Sequence, residues 1–154
     1  MKRVGCFFGT FDPIHIGHLI IAQHMLTYAG LDEVRIIVSP QNPFKKDKRL
    51  SEDRIRFRMA TEAVKEAPAI VASGIELDLP KPSYTAHTLE VLTKQEPDVR
   101  FDLIMGSDNL AGFHKWKNAE RIIENHRVLV YPRPGIDSHI ESALYQGHIY
   151  VNLI

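Results

Sequence analysis

Short apolar runs rich in β-branched and aromatic residues alternate along this chain with longer segments whose apolar positions recur at helical spacing. Several of these runs are continuously apolar, which is typical of strands buried on both faces of a sheet. They predict strands at Val4–Phe8, Val34–Val38, Phe101–Met105, Val128–Tyr131 and Ile149–Val151. The intervening segments predict helices near 16–29, 51–66, 85–95, 108–125 and 137–145. This alternation predicts an α/β fold, an open parallel sheet with helices on both faces.

Turn-forming residues mark several boundaries of these elements. Gly30 follows the first helical pattern and is a candidate for its C-terminal cap. Ser51 precedes two acidic residues and is a candidate N-cap of the second helix. Residues 39–50 form a polar loop that is long for a compact domain, which favours a functional role for it.

Composition places the chain among ordinary globular proteins. It has 154 residues, 44% hydrophobic and 25% charged, which predicts one domain over residues 1–154. Nineteen basic and nineteen acidic residues give no net charge, so we expect no nucleic-acid partner and no attraction to anionic membranes. No apolar stretch approaches the roughly 20 residues of a membrane span, and the N-terminus lacks a signal-peptide core, so we expect a cytoplasmic protein.

A single cysteine, Cys6, excludes an internal disulfide framework and a cysteine-based zinc site. It lies in the first apolar run, where a buried and inert thiol is the simplest interpretation.

Residues 9–19, here called the histidine segment, follow the first predicted strand and open the first predicted helix. In open α/β sheets ligands bind beyond the carboxyl ends of the strands, where helix N-termini attract phosphate. Gly9 allows close approach of the backbone to a ligand. His15 and His18 are three residues apart and can face one cleft, where N–H donors or an imidazolium would stabilise charge on a phosphoryl group.

Other interpretations of these residues remain open. A His-x-x-His pair can bind a metal or can be purely structural, although no third ligand lies at a suitable spacing nearby. No GxGxxG or GxxxxGK[ST] motif is present, so dinucleotide redox binding and P-loop hydrolysis lack their fingerprints. The excess of basic residues between 45 and 58 is either a solvated surface or a small anion site. Arg54, Arg56 and Arg58 cannot all face one way on a helix.

The histidine segment resembles the HxGH signature of the nucleotidyltransferase superfamily, here His15-Ile16-Gly17-His18 after Gly9-Thr10-Phe11-Asp12-Pro13. Residues 82–89, here called the tyrosine segment, read PSYTAHTL and resemble the P-S-Y-T-x-x-T-L segment of nicotinate-nucleotide adenylyltransferases. Gly106-Ser107-Asp108 with Lys115-Trp116 resembles their G-x-D…KW segment, and Val128–Tyr131 followed by Pro132-Arg133-Pro134-Gly135 resembles their strand ending in R-P-G. These matches span nearly the whole chain in the family's order and agree with a Rossmann-like sheet.

This resemblance implies transfer of AMP from ATP to nicotinate mononucleotide, giving deamido-NAD and pyrophosphate. The family's reaction is a direct in-line attack of the mononucleotide phosphate on the α-phosphorus of ATP, without a covalent enzyme intermediate. The protein then acts by positioning two anions and neutralising their charge. Magnesium (Mg²⁺) is expected to accompany the ATP phosphates, and no protein-ligated metal is expected.

The resemblance also assigns roles to individual residues. The catalytic group comprises His15, His18 and Lys45. The ATP-binding group comprises Gly9, Thr10, Phe11, His18, Gly106, Asp108 and Arg133. The substrate-binding group comprises Tyr84, Thr85, Trp116 and Lys46, with Trp116 matching the aromatic residue that stacks on the pyridine ring.

Each of these residues also has a structural interpretation. Trp116 can be a core residue, although its two lysine neighbours favour partial exposure. Asp108 can cap the following helix. Tyr84 can be a packing residue at a helix start, and Arg133 can be a surface turn residue.

One family feature has no counterpart in the sequence. The family continues beyond the last strand to a segment of the I-S-[ST]-x-x-I-R type, whose hydroxyls and arginine bind the ATP phosphates, and the 154 residues contain no such motif. We therefore expect either a truncated chain, which we favour, or a protein that lacks part of the ATP-phosphate site. Loss of the helix that this segment opens would leave sheet surface exposed and would favour a homo-oligomer. Two alternatives stay open: another phosphorylated acceptor, either nicotinamide mononucleotide or pantetheine phosphate, and a nucleotide-binding module without turnover.

Overall fold

A computed structural model describes residues 1–40, 52–132 and, for the backbone, 149–151. Its strands are β1 (Lys2–Gly9), β2 (Glu33–Val38), β3 (Ile70–Ser73), β4 (Val99–Gly106), β5 (Val128–Tyr131) and β6 (Ile149–Val151). Its α-helices are α1 (Ile16–Tyr28), α2 (Asp53–Val64), α3 (Thr85–Gln95), α4 (Ser107–Leu110) and α5 (Ala119–Asn125), with 3₁₀ turns at Ile75–Leu77 and Phe113–Lys115.

The six strands form one parallel sheet in the order β3-β2-β1-β4-β5-β6. The chain runs from β1 outward to β3 and then returns to place β4 on the other side of β1. Successive strands therefore diverge between β1 and β4, and such a switch point leaves a crevice at the carboxyl ends of the two strands. This topology confirms the predicted α/β, Rossmann-like sheet.

The sheet separates two apolar layers. On one face, alternate residues of β1 and β4 such as Cys6 and Leu103 pack with α3 and α5. On the other face, Phe7 and Ile104 pack with Ala22 of α1 and neighbouring residues of α2. Because both faces are covered, the strands are continuously apolar, as predicted. Cys6 is fully buried, and burial raises the pKa of its thiol, which confirms the inert interpretation.

The structure differs from the predicted elements in two places, one strand that the sequence does not predict and one predicted helix that is wrong. The edge strand β3 was not predicted, because its four residues include exposed Val71 and leave little apolar signal. The predicted helix over 108–125 is instead α4, a 3₁₀ turn and α5 in succession. The break has a backbone cause, since Asn118 adopts a left-handed conformation with φ of 59° immediately before α5.

The predicted helix ends are partly confirmed. Gly30 follows the C-cap of α1 with φ of 68°, a conformation that glycine adopts at little cost. The N-cap of α2 is Glu52, one residue later than the predicted Ser51, which lies outside the described residues. Among the helices of the described ranges, none combines the length and apolar character needed to cross a bilayer.

Candidate active site

The two predicted catalytic histidines cap the first helix at the carboxyl edge of β1. His15 is the N-cap of α1, and its Nδ1 accepts a hydrogen bond from the backbone N–H of Gly17 at 3.1 Å. His18 reaches back, so that its Nδ1 accepts the N–H of His15, also at 3.1 Å. This reciprocal arrangement is a capping box in which imidazoles replace the usual hydroxyl and carboxylate.

The same bonds fix the tautomers of both rings. An Nδ1 that accepts a backbone N–H carries no hydrogen itself, so Nε2 is the protonated nitrogen of His15 and of His18. Of the two forms left open by the sequence, this geometry is that of N–H donors. Each ring presents an N–H at the edge remote from its own helix backbone.

Ring contacts hold the pair in one place. The centroids of His15 and His18 lie 3.8 Å apart with the planes 28° from parallel, so the rings are stacked. The ring of Phe11 meets His18 edge-on with centroids 4.9 Å apart, and Phe7 lies 6.1 Å from it. Phe11 itself has a φ of 47°, an uncommon conformation for a residue with a side chain. Backbone strain of this kind persists where the surroundings enforce it and is concentrated at functional sites.

Gly17 is required by this arrangement. A Cβ added at residue 17 would lie 2.9 Å from Cε1 and 3.0 Å from Nδ1 of His15. The ring of His15 would have to shift, which disturbs its capping bond to Gly17 and its stack with His18. The glycine of the HxGH motif thus has a steric reason in this chain.

We expect Gly17→Ala to lower kcat/KM by about 10- to 100-fold, because a displacement near 1 Å at a reacting group has effects of that size. Thermal stability should change little, since the lost cap and the better helix propensity of alanine are each about 1 kcal/mol and oppose each other. Steady-state kinetics and a melting curve measure the two. Gly112→Ala is the matched control, because a Cβ there meets no atom within 4 Å. Equal kinetics for the two variants would contradict the steric argument.

The predicted Gly106–Asp108 pair lies at the carboxyl end of β4, directly beside the histidine segment. A Cβ at Gly106 would stand 2.5 Å from Oδ1 of Asp108 and 3.0 Å from the ring of Tyr131, so any side chain there would displace these neighbours. The ring of Tyr131 also contacts Phe7 edge-on at 5.9 Å. Tyr131 therefore links the two loops at the switch point. The cap of α4 is Gly106, so Asp108 is a first-turn residue and not the cap.

The predicted substrate-binding residues form a second cluster. Tyr84 is the N-cap residue of α3 and is 42% exposed, and Thr85 begins the helix. The ammonium group of Lys117 lies 4.6 Å from the centre of the Tyr84 ring, which joins the tyrosine segment to the turn that contains Trp116. Trp116 is partly buried and packs edge-on against Phe113 at 5.1 Å. The contact with Phe113 fixes the ring on one side, and its partial burial leaves the remainder accessible to solvent.

A functional residue that sequence reasoning missed is Arg56. Its guanidinium is fully buried in α2 and donates to the carbonyl oxygens of Thr10 at 2.5 Å and Ser39 at 2.9 Å, and it also pairs with Asp53. It thereby attaches the histidine segment to the end of β2. The signal was present, because Arg56 stands in the i, i+4, i+8 register of the buried residues Ala60 and Val64.

The structure thus gathers most of the predicted residues into two groups. The histidine segment, Gly106 and Asp108 meet at the switch point. Tyr84 and Thr85 lie at the start of α3, and Lys117, the neighbour of Trp116, contacts Tyr84. Lys45, Lys46 and Arg133, with the helix predicted at 137–145, lie outside the described residues. Within the described ranges, no group of three histidine, cysteine or acidic side chains is arranged to hold a metal ion.

Comparison with known protein families identifies the class to which this fold and site belong. The model of the cytidylyltransferase-like family matches residues 6–152, and the chain belongs to that family.

Relatives within this class are more specific. The chain is 51% identical over 132 residues to a protein of Christiangramia forsetii, covering 86% of this chain and 68% of the relative. It is 45% identical over 152 residues to one of Flavobacterium johnsoniae, covering 99% and 78%. Both are named probable nicotinate-nucleotide adenylyltransferase, which confirms the resemblance found in the motifs.

Solved structures share the fold at low sequence identity. Nicotinic acid mononucleotide adenylyltransferase of Plasmodium falciparum, complexed with NaAD, superposes with a TM-score of 0.80 at 18% identity, covering 100% of this chain and 76% of that one. A putative nicotinate-nucleotide adenylyltransferase of Vibrio parahaemolyticus gives a TM-score of 0.72 at 23% identity, covering 87% and 76%.

Proposed function

We propose that this protein transfers the adenylyl group of ATP to nicotinate mononucleotide, forming deamido-NAD and pyrophosphate, a step of NAD biosynthesis. The observation that carries the proposal is the stacked pair of His15 and His18 at the N-terminus of α1, with Nδ1 of each ring bonded to backbone. Relatives at 45–51% identity that are named for this activity support it.

The chemistry follows from this geometry. A phosphate oxygen of the mononucleotide attacks the α-phosphorus of ATP, and the bond from that phosphorus to the bridging oxygen breaks, so that pyrophosphate leaves with the electron pair. Negative charge accumulates on the oxygens around the α-phosphorus. The Nε2–H groups of His15 and His18 and the first N–H groups of α1 are donors suited to that charge, and the first turn of α1 contains no acidic residue.

The ATP side of the site comprises Gly9, Thr10, Phe11, Gly106 and Asp108. Mg²⁺ enters with the triphosphate as part of the substrate, and it would neutralise phosphate charge there. Lys45 and Arg133 are proposed for the same phosphates on the strength of the motif resemblance. Because the chain has no net formal charge, the attraction of the phosphates must come from hydrogen-bond donors and charges close to the site.

The acceptor side comprises Tyr84, Thr85 and Trp116, with Lys46 as a further proposed contact. A partly exposed indole offers a flat face for an aromatic ring of the acceptor. This feature favours a pyridine mononucleotide over pantetheine phosphate, which contains no aromatic ring. The names of the relatives favour the acid over the amide.

We expect Trp116→Ala to raise KM for the mononucleotide by about 10-fold or more, since loss of a stacking aromatic costs about 1–3 kcal/mol. KM for ATP should change less than twofold. Trp116→Phe, which keeps a smaller ring, should lie between the two. Initial rates with each substrate varied in turn provide the numbers. Equal increases for both substrates would argue against stacking on the pyridine.

Release of pyrophosphate distinguishes the proposed enzyme from the alternative of a nucleotide-binding module without turnover. A coupled pyrophosphate assay with ATP and nicotinate mononucleotide should give signal that depends on both substrates. Binding of ATP without pyrophosphate release would instead favour the module without turnover.

We further propose that residues 1–154 form one nucleotidyltransferase domain whose grip on the ATP phosphates is completed by a segment of the I-S-[ST]-x-x-I-R type. The same assay on the 154-residue chain, and on the chain extended by a relative's C-terminal segment, tests this point. A lower KM for ATP in the extended chain is expected, and unchanged kinetics would overturn it.

A further inference from the structure

A buried carboxylate lies between the two groups of the site. Glu76, in the 3₁₀ turn after β3, is only 3% exposed. It accepts hydrogen bonds from Ser39 Oγ at 2.8 Å and from Thr88 Oγ1 at 2.6 Å. The two hydroxyls belong to different parts of the fold, 37 residues before and 12 residues after Glu76.

Ser39 belongs to the nucleotide side. It follows β2 directly, its N–H donates to the carbonyl of Gly9 at 2.8 Å, and its own carbonyl accepts from Arg56. Arg56 also holds the carbonyl of Thr10. The main chain of Ser39 is therefore fixed to the histidine segment, while its hydroxyl is directed to Glu76.

Thr88 belongs to the acceptor side. It is fully buried in the first turn of α3, and its backbone N–H donates to the carbonyl of Tyr84 at 3.1 Å. Tyr84 in turn contacts Lys117, the neighbour of Trp116. A displacement of Thr88 would therefore move the start of α3 and the residues proposed to receive the acceptor.

The energetics make a purely stabilising role a poor explanation. Burial raises the pKa of the Glu76 carboxyl, and the hydrogen bonds of Thr88 and Ser39 offset this only in part. Among the described residues the carboxylate forms no ion pair. Burying a carboxyl group costs free energy, and a well-packed apolar side chain in its place would avoid that cost. The contribution of Glu76 is therefore the defined geometry that its hydrogen bonds impose.

We propose that Glu76 is a positioning residue that sets the tyrosine segment at a fixed distance from the histidine segment, through Thr88 on one side and Ser39 on the other. This inference rests on the proposed function and names how the acceptor site is held relative to the nucleotide site. Loss of the link should weaken productive binding of the acceptor and leave ATP binding almost intact.

The first test removes one hydroxyl. Thr88→Val keeps the shape of the side chain but removes the 2.6 Å bond to Glu76, together with the longer contact of the same hydroxyl with the carbonyl of Tyr84 at 3.3 Å. It should raise KM for nicotinate mononucleotide about 3- to 10-fold, the size expected for one hydrogen bond, with less than a twofold change for ATP. Thr88→Ser restores the hydroxyl and should restore KM. Thr93→Val is the matched control on the same helix, because its hydroxyl bonds only to the carbonyl of Leu89. Equal effects of Thr88→Val on both substrates, or no effect, would overturn the proposal.

The second test asks whether the two hydroxyls act through one carboxylate. Ser39→Ala removes the bond to Glu76 and leaves both backbone bonds of Ser39 in place. In a double-mutant cycle, Ser39→Ala with Thr88→Val should raise KM by less than the product of the single effects. Multiplicative effects would mean that the two hydroxyls act independently and would overturn the shared role of Glu76.

A binding measurement separates this inference from the proposed function. Trp116 is the only tryptophan of the chain, so quenching of its fluorescence by nicotinate mononucleotide reports binding without turnover. If the wild type binds but releases no pyrophosphate, the proposed function fails, and the ratio of Kd values for Thr88→Val and Thr88→Ser still decides the role of Glu76. If nothing binds, both proposals fail.

Discussion

Replacing His18 by alanine is expected to lower kcat by about 10²–10⁴-fold, with a modest effect on folding. Removal of one preorganised donor from a site of developing charge has consequences of roughly this size. In this structure the Nδ1 of His18 is used by the backbone of His15, so the group lost to catalysis is the Nε2–H. Single-turnover and steady-state rates, with a melting curve for each variant, measure the effect.

A second variant separates the catalytic contribution of His18 from its structural one. The Oδ1 of asparagine can replace Nδ1 as the acceptor for the N–H of His15, but asparagine has no group at the position of Nε2. His18→Asn should therefore keep the cap and still lose most of kcat. His24→Ala on the same helix is the control without a motif. Near-normal turnover of His18→Asn would show that the ring only caps the helix.

Replacing Arg56 by alanine is expected to lower the free energy of unfolding by about 2–5 kcal/mol, the usual cost of truncating a large, fully buried side chain to alanine. The substitution leaves the carboxylate of Asp53 and the carbonyl of Thr10 without this donor and opens a cavity in the core. Since domains are stable by about 5–15 kcal/mol, much of the total would be lost. Urea unfolding followed by circular dichroism measures the change.

The neighbouring arginines supply the control. Arg54 is exposed and pairs with exposed Asp78 at 2.9 Å, so Arg54→Ala should cost at most about 1 kcal/mol. Arg56→Lys keeps the charge but loses the planar fork that reaches several acceptors, so it should rescue little. If Arg54→Ala and Arg56→Ala were equally mild, Arg56 would be a surface charge like the rest of the basic run.

The strands could be predicted because their chemistry is local. A sheet covered on both faces requires continuous apolar runs, and β1, β2, β4 and β5 each contain one. The edge strand β3 pairs with one neighbour only and keeps an exposed valine, so its sequence carries little of that signal.

The break in the predicted helix over 108–125 could not be read from spacing. Leu110, Phe113 and Trp116 recur every three residues, which suits an α-helix as well as a series of short turns. The left-handed backbone of Asn118 marks the start of α5, and local spacing does not predict it.

For the site, the motifs predict which residues act, and the structure shows how the described ones are connected. The sequence indicates that His15 and His18 can face one cleft, but the exchange of capping bonds that fixes their tautomers depends on coordinates. The chain of contacts from Arg56 through Ser39 to Glu76 joins segments distant in sequence. Such long-range pairing leaves no periodic signal along the chain.

The most direct measurement offers three acceptors to the protein with ATP and Mg²⁺: nicotinate mononucleotide, nicotinamide mononucleotide and pantetheine phosphate. Products are separated by chromatography, for the 154-residue chain and for the chain extended at its C-terminus. Our account predicts deamido-NAD and equimolar pyrophosphate, with kcat/KM highest for the nicotinate acceptor. Preferential adenylylation of pantetheine phosphate, or no product from either chain with any acceptor, would contradict it.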